Sequence, residues 1–517
     1  MESTVLAFRR ALIQSPLQSV VIGSIAIFAL YIVVNEVIRS RSRIPGLAGP
    51  KGWPVIGNLP DLWSNAPVKY REWAKIYGDV YQVQLGNTRV VIVNSAAAAK
   101  TFLITNSHAM SSRPELYTYH KIASTTAGFT IGSSPYDDSL RRKKKGVAVA
   151  MNRPSIQNYI PYLDLETKTF VQNLLDYGQS GTVAIDPMLM AQRLSLSLVM
   201  TINWGVRIPS LEDDLLKEIV KVEVGLNKTR STVGNTQDHI PFLRFNPFNP
   251  KSIEARELRA RRDVYLAKLD ADLEREVSAG TNKPCIQASV IKYKEVELNE
   301  TELQAISVSM LSGGFETIST TVQWSMALLA QHPEIQDKAY DEIKKFQGSK
   351  GMWCDATDDQ NCSYILGIAK EALRYYSVLP LALPRRSMKD FEYNGIRIPA
   401  GTTLYLNAWA CNRDPEQWSD PDVFRPERWQ EKPEALLLTF GLGYRMCPAH
   451  ILATRQLYII LMRLLSSFRL EAPGKIDCDP RTDISHPRDL VIFPKPYRVF
   501  FIPRDEGSLR TALAASN

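Results

Sequence analysis

Ten residues near the C-terminal end constrain this chain more than any other stretch: Phe440-Gly441-Leu442-Gly443-Tyr444-Arg445-Met446-Cys447-Pro448-Ala449. A lone cysteine closes a glycine-punctuated turn, with an arginine two residues before it. A helix-like apolar run follows from Ile451 to Leu465. Three demands meet in this pattern. A thiolate ligand must point at a flat cofactor from one side. Glycine at 441 and 443 lets the backbone come close and take up positive φ. A cation beside the thiolate neutralises a cofactor carboxylate, and Arg445 is placed for it. A cysteine at a helix N-terminus is also more easily ionised.

The stretch resembles the haem-binding loop of the cytochrome P-450 monooxygenases, Phe-x-x-Gly-x-Arg-x-Cys-x-Gly. Phe440, Gly443, Arg445 and Cys447 match, and Ala449 replaces the last glycine. A lone cysteine is more often an inert buried thiol; the four matched positions make that the weaker reading here. The resemblance implies a mainly α fold with small β-sheets and a haem b whose axial thiolate is Cys447.

The 517 residues exceed what one simple core needs, yet no Gly/Ser linker, low-complexity tract or repeat divides them. A single large domain packed around a cofactor fits. The net charge of +8 is modest and locally clustered, which suits partner docking and membrane proximity. No nucleic-acid motif is visible. Cys285, Cys354, Cys362, Cys411, Cys447 and Cys478 form no CxxC pair, which favours a reducing compartment. The six histidines show no zinc spacing.

After an N-terminal tail (1–16), an apolar run over 17–38 suits a membrane-spanning helix, which needs about 20 residues. Arg39, Arg41 and Arg43 follow, outnumbering Arg9 and Arg10 before it. That bias, with no small-residue cleavage site, predicts a retained anchor rather than a signal peptide, and a cytosolic C-terminal bulk. Sequons at Asn227, Asn299 and Asn361 point the other way but would go unused in the cytosol. A basic, proline-rich hinge is expected over 39–60; its part from Ile44 to Pro60 cannot be helical and resembles the hinge of microsomal family members. The haem-thiolate catalytic domain is expected over 61–517. Val80–Leu85 and Val90–Val93 around Gly86-Asn87 read as a hairpin.

Ser134 to Gly146 carries Arg141-Arg142-Lys143-Lys144-Lys145. Any charge run is first a solvated helix face. The family places a Trp-x-x-x-Arg helix here that reaches a haem propionate; this chain has Leu140 and Lys144 at those spacings. A lysine pairs with a propionate as a point charge. The remaining cations suit an acidic reductase surface. Met151 to Gln157 looks like a segment of fungal enzymes that hydroxylate small aromatics. Ile240 to Pro250 is an apolar, proline-broken loop before a charged helix, Ser252 to Val277. It reads either as core packing or as the family's channel roof that dips into the membrane.

Thr301 to Gln331 reads as a long helix interrupted by Gly313-Gly314-Phe315-Glu316-Thr317. Paired glycines cost about 1 kcal/mol each in a helix interior, so a ligand's close approach must justify them. An acid beside a hydroxyl relays protons. The segment resembles the family's oxygen-activation motif, with Glu316 and Thr317 as its acid and alcohol. Met310, Leu311 and Phe315 are candidate pocket wall. Glu371 and Arg374 stand three apart on one helix face, and Arg428 completes the family's structural Glu-x-x-Arg network. Arg385 stands where the family often has a propionate partner. Val378 to Leu383 is expected to line the pocket, and Arg488 to Val491 to touch substrate. Asn407 to Pro415 and Asp489 to Phe493 read as loops and late strands.

Cysteine-thiolate ligation favours O–O cleavage. The resemblance therefore implies oxygen insertion from O2, with electrons from NADPH through the FAD and FMN of a separate NADPH-cytochrome reductase at the endoplasmic reticulum membrane. Two other classes are a reductase-independent haem-thiolate isomerase or dehydratase and a non-catalytic haem carrier. The acid–alcohol pair argues against both. The resemblance to fungal one-ring hydroxylases leaves two substrate types. A phenylacetate pocket should present a buried cation to the carboxylate. Stretches 310–315 and 378–383 hold no Lys or Arg, so the expected substrate is a neutral phenol of the m-cresol or hydroxybenzyl alcohol type, from polyketide metabolism.

Overall fold

A computed structural model describes residues 16–293, 297–348, 351–353, 356–358 and 360–515. Cys354, Arg9 and Arg10 lie outside the described residues. The longer helices are, in chain order, α1 (Pro16–Ser42), α2 (Ala66–Tyr77), α3 (Asp138–Ala150), α4 (Ile160–Tyr177), α5 (Met188–Trp204), α6 (Asp214–Lys228), α7 (Pro250–Ala279), α8 (Glu300–Leu329), α9 (Pro333–Gln347), α10 (Ser363–Tyr376) and α11 (His450–Ser467). The architecture is mostly helical with small sheets, as the sequence predicts.

The core is a bundle in which α5 packs along α8, α4 along α5, and α11 closes against α4 and α8. Leu174, Met200, Trp324 and Leu461 fill it and are almost fully buried. α8 starts on a capping box: the Asn299 side chain accepts from the Glu302 backbone, and the Glu302 carboxylate accepts from the Asn299 backbone. This satisfies two otherwise orphaned donors. The expected interruption at Gly313-Gly314 is absent; α8 runs unbroken through both glycines. Packing on α5 and α11 outweighs the glycines' propensity cost.

A four-stranded sheet lies beside the bundle in the order β1 (Val80–Leu85), β2 (Thr88–Val93), β6 (Thr403–Leu406), β3 (Arg385–Arg386). The predicted hairpin is β1–β2, with Val80 opposite Val93 and Leu85 opposite Thr88. The parallel pairing of β2 with β6 sets Val90 beside Thr403, and β3 then places Arg385 opposite Leu404. Two further ribbons join β4 (Phe391–Tyr393) to β5 (Ile396–Ile398) and β7 (Phe468–Glu471) to β8 (Phe500–Pro503). No strand forms over residues 489–493, and Asn407 caps a short helix, Ala408–Cys411.

α1 continues past residue 38 to Ser42, so the helix takes the first residues of the expected hinge. Its apolar side chains, Val20, Ile27 and Leu30 among them, are exposed, and its length and composition suffice to cross a membrane. Arg39 and Arg41 sit in the last turn, where cations suit the helix dipole. The helix end is bonded to the hinge: the Val55 backbone donates to Glu36 at 2.8 Å, and Arg39 donates to the Trp53 carbonyl at 3.2 Å. The 240–250 segment is divided: Ile240 is buried in the core and Leu243 packs against it, while the rest turns outward. Phe245 and Phe248 are about four-fifths exposed (82% and 79%). Phe242 lies 5.9 Å from Tyr31 and 6.5 Å from Phe28 of α1, ring to ring.

Candidate active site

The cysteine loop wraps one end of an internal cavity bounded on the other side by α8. Gly441 (φ 72°) and Gly443 (φ 65°) both hold positive φ. Gly443 also leaves no room for a side chain, since a Cβ there would lie 2.0 Å from the Leu103 carbonyl oxygen. Ala449 has φ −94°, which any residue adopts, so alanine replaces the family's glycine without strain. The Cys447 backbone donates to the Phe440 carbonyl at 2.9 Å, closing the loop. Cys447 and Phe440 both line the cavity. The expected easy ionisation of Cys447 is outweighed in the protein itself: burial pushes the thiol up, and the Ala449 N–H only partly offsets it.

Besides Arg230, four cations line the same cavity: Arg113, Lys144, Arg385 and Arg445. Their partners are backbone oxygens. Arg445 donates to Ser134 and Ile131, both at 2.9 Å; Arg385 to Leu442 at 3.0 Å; Lys144 to Tyr444 at 2.6 Å; and Arg113 to Leu383 and to Pro384. None of them has a carboxylate partner among the described residues. Burial, and then repulsion from Arg445, holds Arg385 down at about 9. Burial also pulls Arg445 down to about 10. Buried cations satisfied only by neutral oxygens fit an anionic group with two carboxylates, which haem is. One thiol facing the cavity, a glycine loop at close approach and these cations are the fit. Lys144 and Lys143 turn inward, Lys143 to Phe129 and Ser134, so the basic run is not wholly a solvated face.

On the opposite wall, α8 presents Met310, Gly313, Gly314, Thr317 and Ile318. Leu311 and Phe315, expected in the wall, are fully buried in the core instead. A Cβ on Gly313 would meet nothing within 4 Å, so this glycine opens onto the cavity. Gly314 faces α5, where a Cβ would come within 2.7 Å of Val199. The Thr317 hydroxyl donates to the Gly313 carbonyl at 2.8 Å. Glu316 does not line the cavity; it is buried against α6, where Asn227 donates to it at 2.7 Å. Burial raises its carboxyl to about 8, against the pull of Asn227. Val378, Leu379, Ala382 and Leu383 line the cavity as expected, as do Leu490 and Val491.

Among the lining residues that the sequence reading did not single out are Arg113, Asn227 and Arg230. Arg230 matters most, because it breaks the premise that the pocket holds no further cation. Nothing in its local sequence marks it; it reads as a charge at a helix end. Asn227 carries a sequon, but its side chain is buried and bonded to Glu316.

Away from the cavity, Glu371 accepts from Arg374 at 2.8 Å and from Arg428 at 3.0 Å, and all three are almost fully buried. Trp429 donates to the same carboxylate at 2.9 Å. The second guanidinium is balanced by backbone carbonyls: Arg428 donates to Ser419 and Val423, both at 2.9 Å. The network ties α10 to the segment before the cysteine loop.

The sequence model of the Cytochrome P450 family matches residues 47–501, which includes the whole of this site. The chain belongs to that family. It is therefore a monooxygenase with haem-thiolate iron, supplied with NADPH electrons by a partner reductase and acting with O2. The chain is similar to 3-hydroxyphenylacetate 6-hydroxylase of Emericella nidulans, 53% identical over 503 residues and 97% of each chain. It is 36% identical to phenylacetate 2-hydroxylase of the same organism, over 96% of this chain and 98% of that one. The echilunin cytochrome P450 monooxygenase of Aspergillus ruber is 30% identical, over 88% and 84%.

Proposed function

We propose that this P450 hydroxylates the ring of a small one-ring aromatic. The observation that carries the proposal is that Cys447 and Thr317 line one cavity, with Leu379, Leu383, Leu490 and Val491 making its walls apolar. In this reading the Cys447 thiolate would hold the haem iron. Arg445, Arg385 and Lys144, joined by Arg113, would hold the propionates, and Phe440 and Gly443 shape the loop around the thiolate. Haem bound there supplies activation of O2 and insertion of one oxygen atom into a C–H bond. The protein places the ring, keeps the chamber dry and delivers protons. Thr317 is the hydroxyl at the cavity surface, and Glu316 is the acid behind it. Glu371, Arg374 and Arg428 hold the scaffold and take no part in the chemistry.

Between the two substrate types, a phenylacetate-class acid is preferred to a neutral phenol of polyketide metabolism. The activities for which both Emericella relatives are named support it. The exposed Phe245 and Phe248 beside α1 suit a bilayer surface, consistent with a single-pass enzyme of the endoplasmic reticulum whose catalytic domain faces the cytosol. Exposed cations on α3, Arg141 and Lys145, suit an acidic reductase. The test is turnover of 3-hydroxyphenylacetate, phenylacetate and m-cresol by the full chain in lipid nanodiscs with reductase. A ring hydroxyl carrying label from 18O2, formed only with NADPH, is expected. Product without reductase or NADPH would mean an isomerase or dehydratase instead.

A further inference from the structure

We infer that Arg230 is the carboxylate anchor of the substrate chamber, and that the chain takes one-ring aromatic acids by pairing their carboxylate with this guanidinium. The inference rests on reading the cavity as the chamber of a ring hydroxylase.

Arg230 follows directly on the end of α6 and lines the cavity, at only 7% exposed. Its guanidinium lies over the Tyr119 ring at 4.9 Å. Its hydrogen bond to a side chain is a long one, from Nη1 to the Ser312 hydroxyl at 3.4 Å. That hydroxyl in turn donates to the Val308 carbonyl at 2.8 Å, so its oxygen faces the cation. Among the described residues no carboxylate pairs with Arg230. The acids of its neighbourhood are engaged elsewhere: Glu223 accepts from Tyr265 at 2.7 Å, and Glu316 from Asn227. Burial pushes both of these carboxyls up, towards their neutral forms.

A desolvated guanidinium with most of its donors unused is costly unless an anion meets it. Its planar fork matches a carboxylate with two parallel hydrogen bonds. The cations assigned to the haem propionates come from other elements: α3, β3, the cysteine loop and, for Arg113, the segment after the short helix Ser107–Met110. Arg230 comes from the α6 side, against Ser312 of α8, and of those cations Arg113 is near enough for the two charges to repel. From Ser312 to Thr317 is five residues, a rise of about 7.5 Å along the helix. That is comparable with the length of a one-ring arylacetate. A carboxylate held at Arg230 therefore leaves the ring beside Gly313, the open position on α8, and next to Thr317. Leu383 is close enough to share this corner: a Cβ on Gly132 would meet its Cδ1 at 3.1 Å and Arg230 Nη2 at 3.6 Å.

The experiment is calorimetric titration of the haem-loaded full chain with phenylacetate, its neutral isostere phenylacetamide, and m-cresol, for wild type, Arg230→Gln and Arg230→Lys. Wild type should prefer phenylacetate to phenylacetamide. Arg230→Gln should weaken phenylacetate at least thirtyfold, ~2 kcal/mol at 1.4 kcal/mol per factor of ten. Its haem content and its binding of the two neutral ligands should stay within about threefold, ~0.7 kcal/mol on the same scale. Arg230→Lys should recover part of the loss, keeping the charge without the fork. Unchanged phenylacetate affinity in Arg230→Gln would overturn the inference. Equal loss of all three ligands together with haem would also overturn it, making Arg230 a propionate or scaffold residue. Wild type that binds m-cresol and ignores phenylacetate would overturn it while leaving the ring-hydroxylase reading intact. Wild type that binds none of the three and forms no product with reductase would remove both.

Discussion

The Asn227 side chain donates to one oxygen of Glu316 at 2.7 Å, and of the two residues it is Asn227 that lines the cavity. The other Glu316 oxygen is buried without a partner. The acid of the acid–alcohol pair is thus held one step behind the chamber by an amide on α6. Burial is the main cause of its raised proton affinity, Glu223 and Asp489 add to it, and Arg230 opposes it. With a value of about 8, the carboxyl is largely protonated at neutral pH, ready to give a proton rather than take one.

The same shift predicts a pH dependence of stability. The folded value of about 8 lies above the ordinary 4.5. The stability tied to this group is therefore full below pH 4.5 and is lost as pH rises through the folded value, because the unfolded chain releases its proton first. Glu316→Gln keeps the hydrogen bond and removes the titration. Thermal unfolding of wild type and Glu316→Gln between pH 5 and 8 should show the variant gaining on wild type as pH rises. Parallel curves would contradict the shift.

Thr317→Ala should separate electron use from product. Removing the hydroxyl that stands on the cavity wall should lower product per NADPH by about 10²-fold, the scale of a positioned proton donor. NADPH oxidation should persist, and Thr317→Ser should restore much of the yield. Full coupling in the alanine variant would remove Thr317 from proton delivery.

The adjacent glycines of α8 should respond oppositely to alanine. Gly313 faces open space, so Gly313→Ala should stabilise the fold by up to about 1 kcal/mol through helix propensity while weakening substrate binding. Gly314→Ala must displace Val199, which a Cβ would approach to 2.7 Å, and should destabilise. Denaturant midpoints and substrate titrations of the two variants test the contrast.

In the cysteine loop, Gly443→Ala should cost far more than Ala449→Gly. At Gly443 the φ of 65° and the Leu103 carbonyl both oppose a side chain. At Ala449 the backbone is already ordinary, and glycine costs only its entropy, about 0.5–1 kcal/mol. Haem retained after gel filtration should be lost in Gly443→Ala and kept in Ala449→Gly.

Glu371→Gln should destabilise by about 3–5 kcal/mol, since it leaves Arg374 and Arg428 buried without their anion. The measurement is the unfolding midpoint, with haem content as a second readout. A near-neutral result would show that the surrounding carbonyls alone satisfy both guanidinium groups.

Local pattern made most of the scaffold legible. The hairpin at Val80–Val93 and the helices α1, α7, α8 and α11 were readable from local pattern, because periodicity and turn residues act over a few positions; the Glu371 network was readable only through the family's Glu-x-x-Arg motif, and α4, α5 and α6 were not picked out. The cysteine loop was readable for a related reason: its glycines, arginine and cysteine lie within ten residues. Arg230 was not readable. Its role arises from the packing of α6 over α8, which brings it against Ser312, and no feature of residues 227–231 encodes that pairing. The continuity of α8 was misjudged because propensity is local, whereas packing on α5 and α11 decides the outcome. The turn of Lys143 inward was missed because a charge run looks alike whichever face is buried; Lys144 was expected inward only through the family resemblance.

Arg113, Lys144, Arg385 and Arg445 have a consequence for how the protein is assembled. Four like charges crowded into one lobe, with only carbonyl dipoles and, at Lys144, the Tyr444 ring for company, raise the free energy of every compact state in which no anion sits among them. On the proposed assignment, cofactor uptake would be a neutralisation as well as a ligation, and the cofactor would act as the counter-ion of the core. A chain folding ahead of its haem supply would wait in a looser, salt-sensitive form. Mass action from the cofactor would draw that form into the native state.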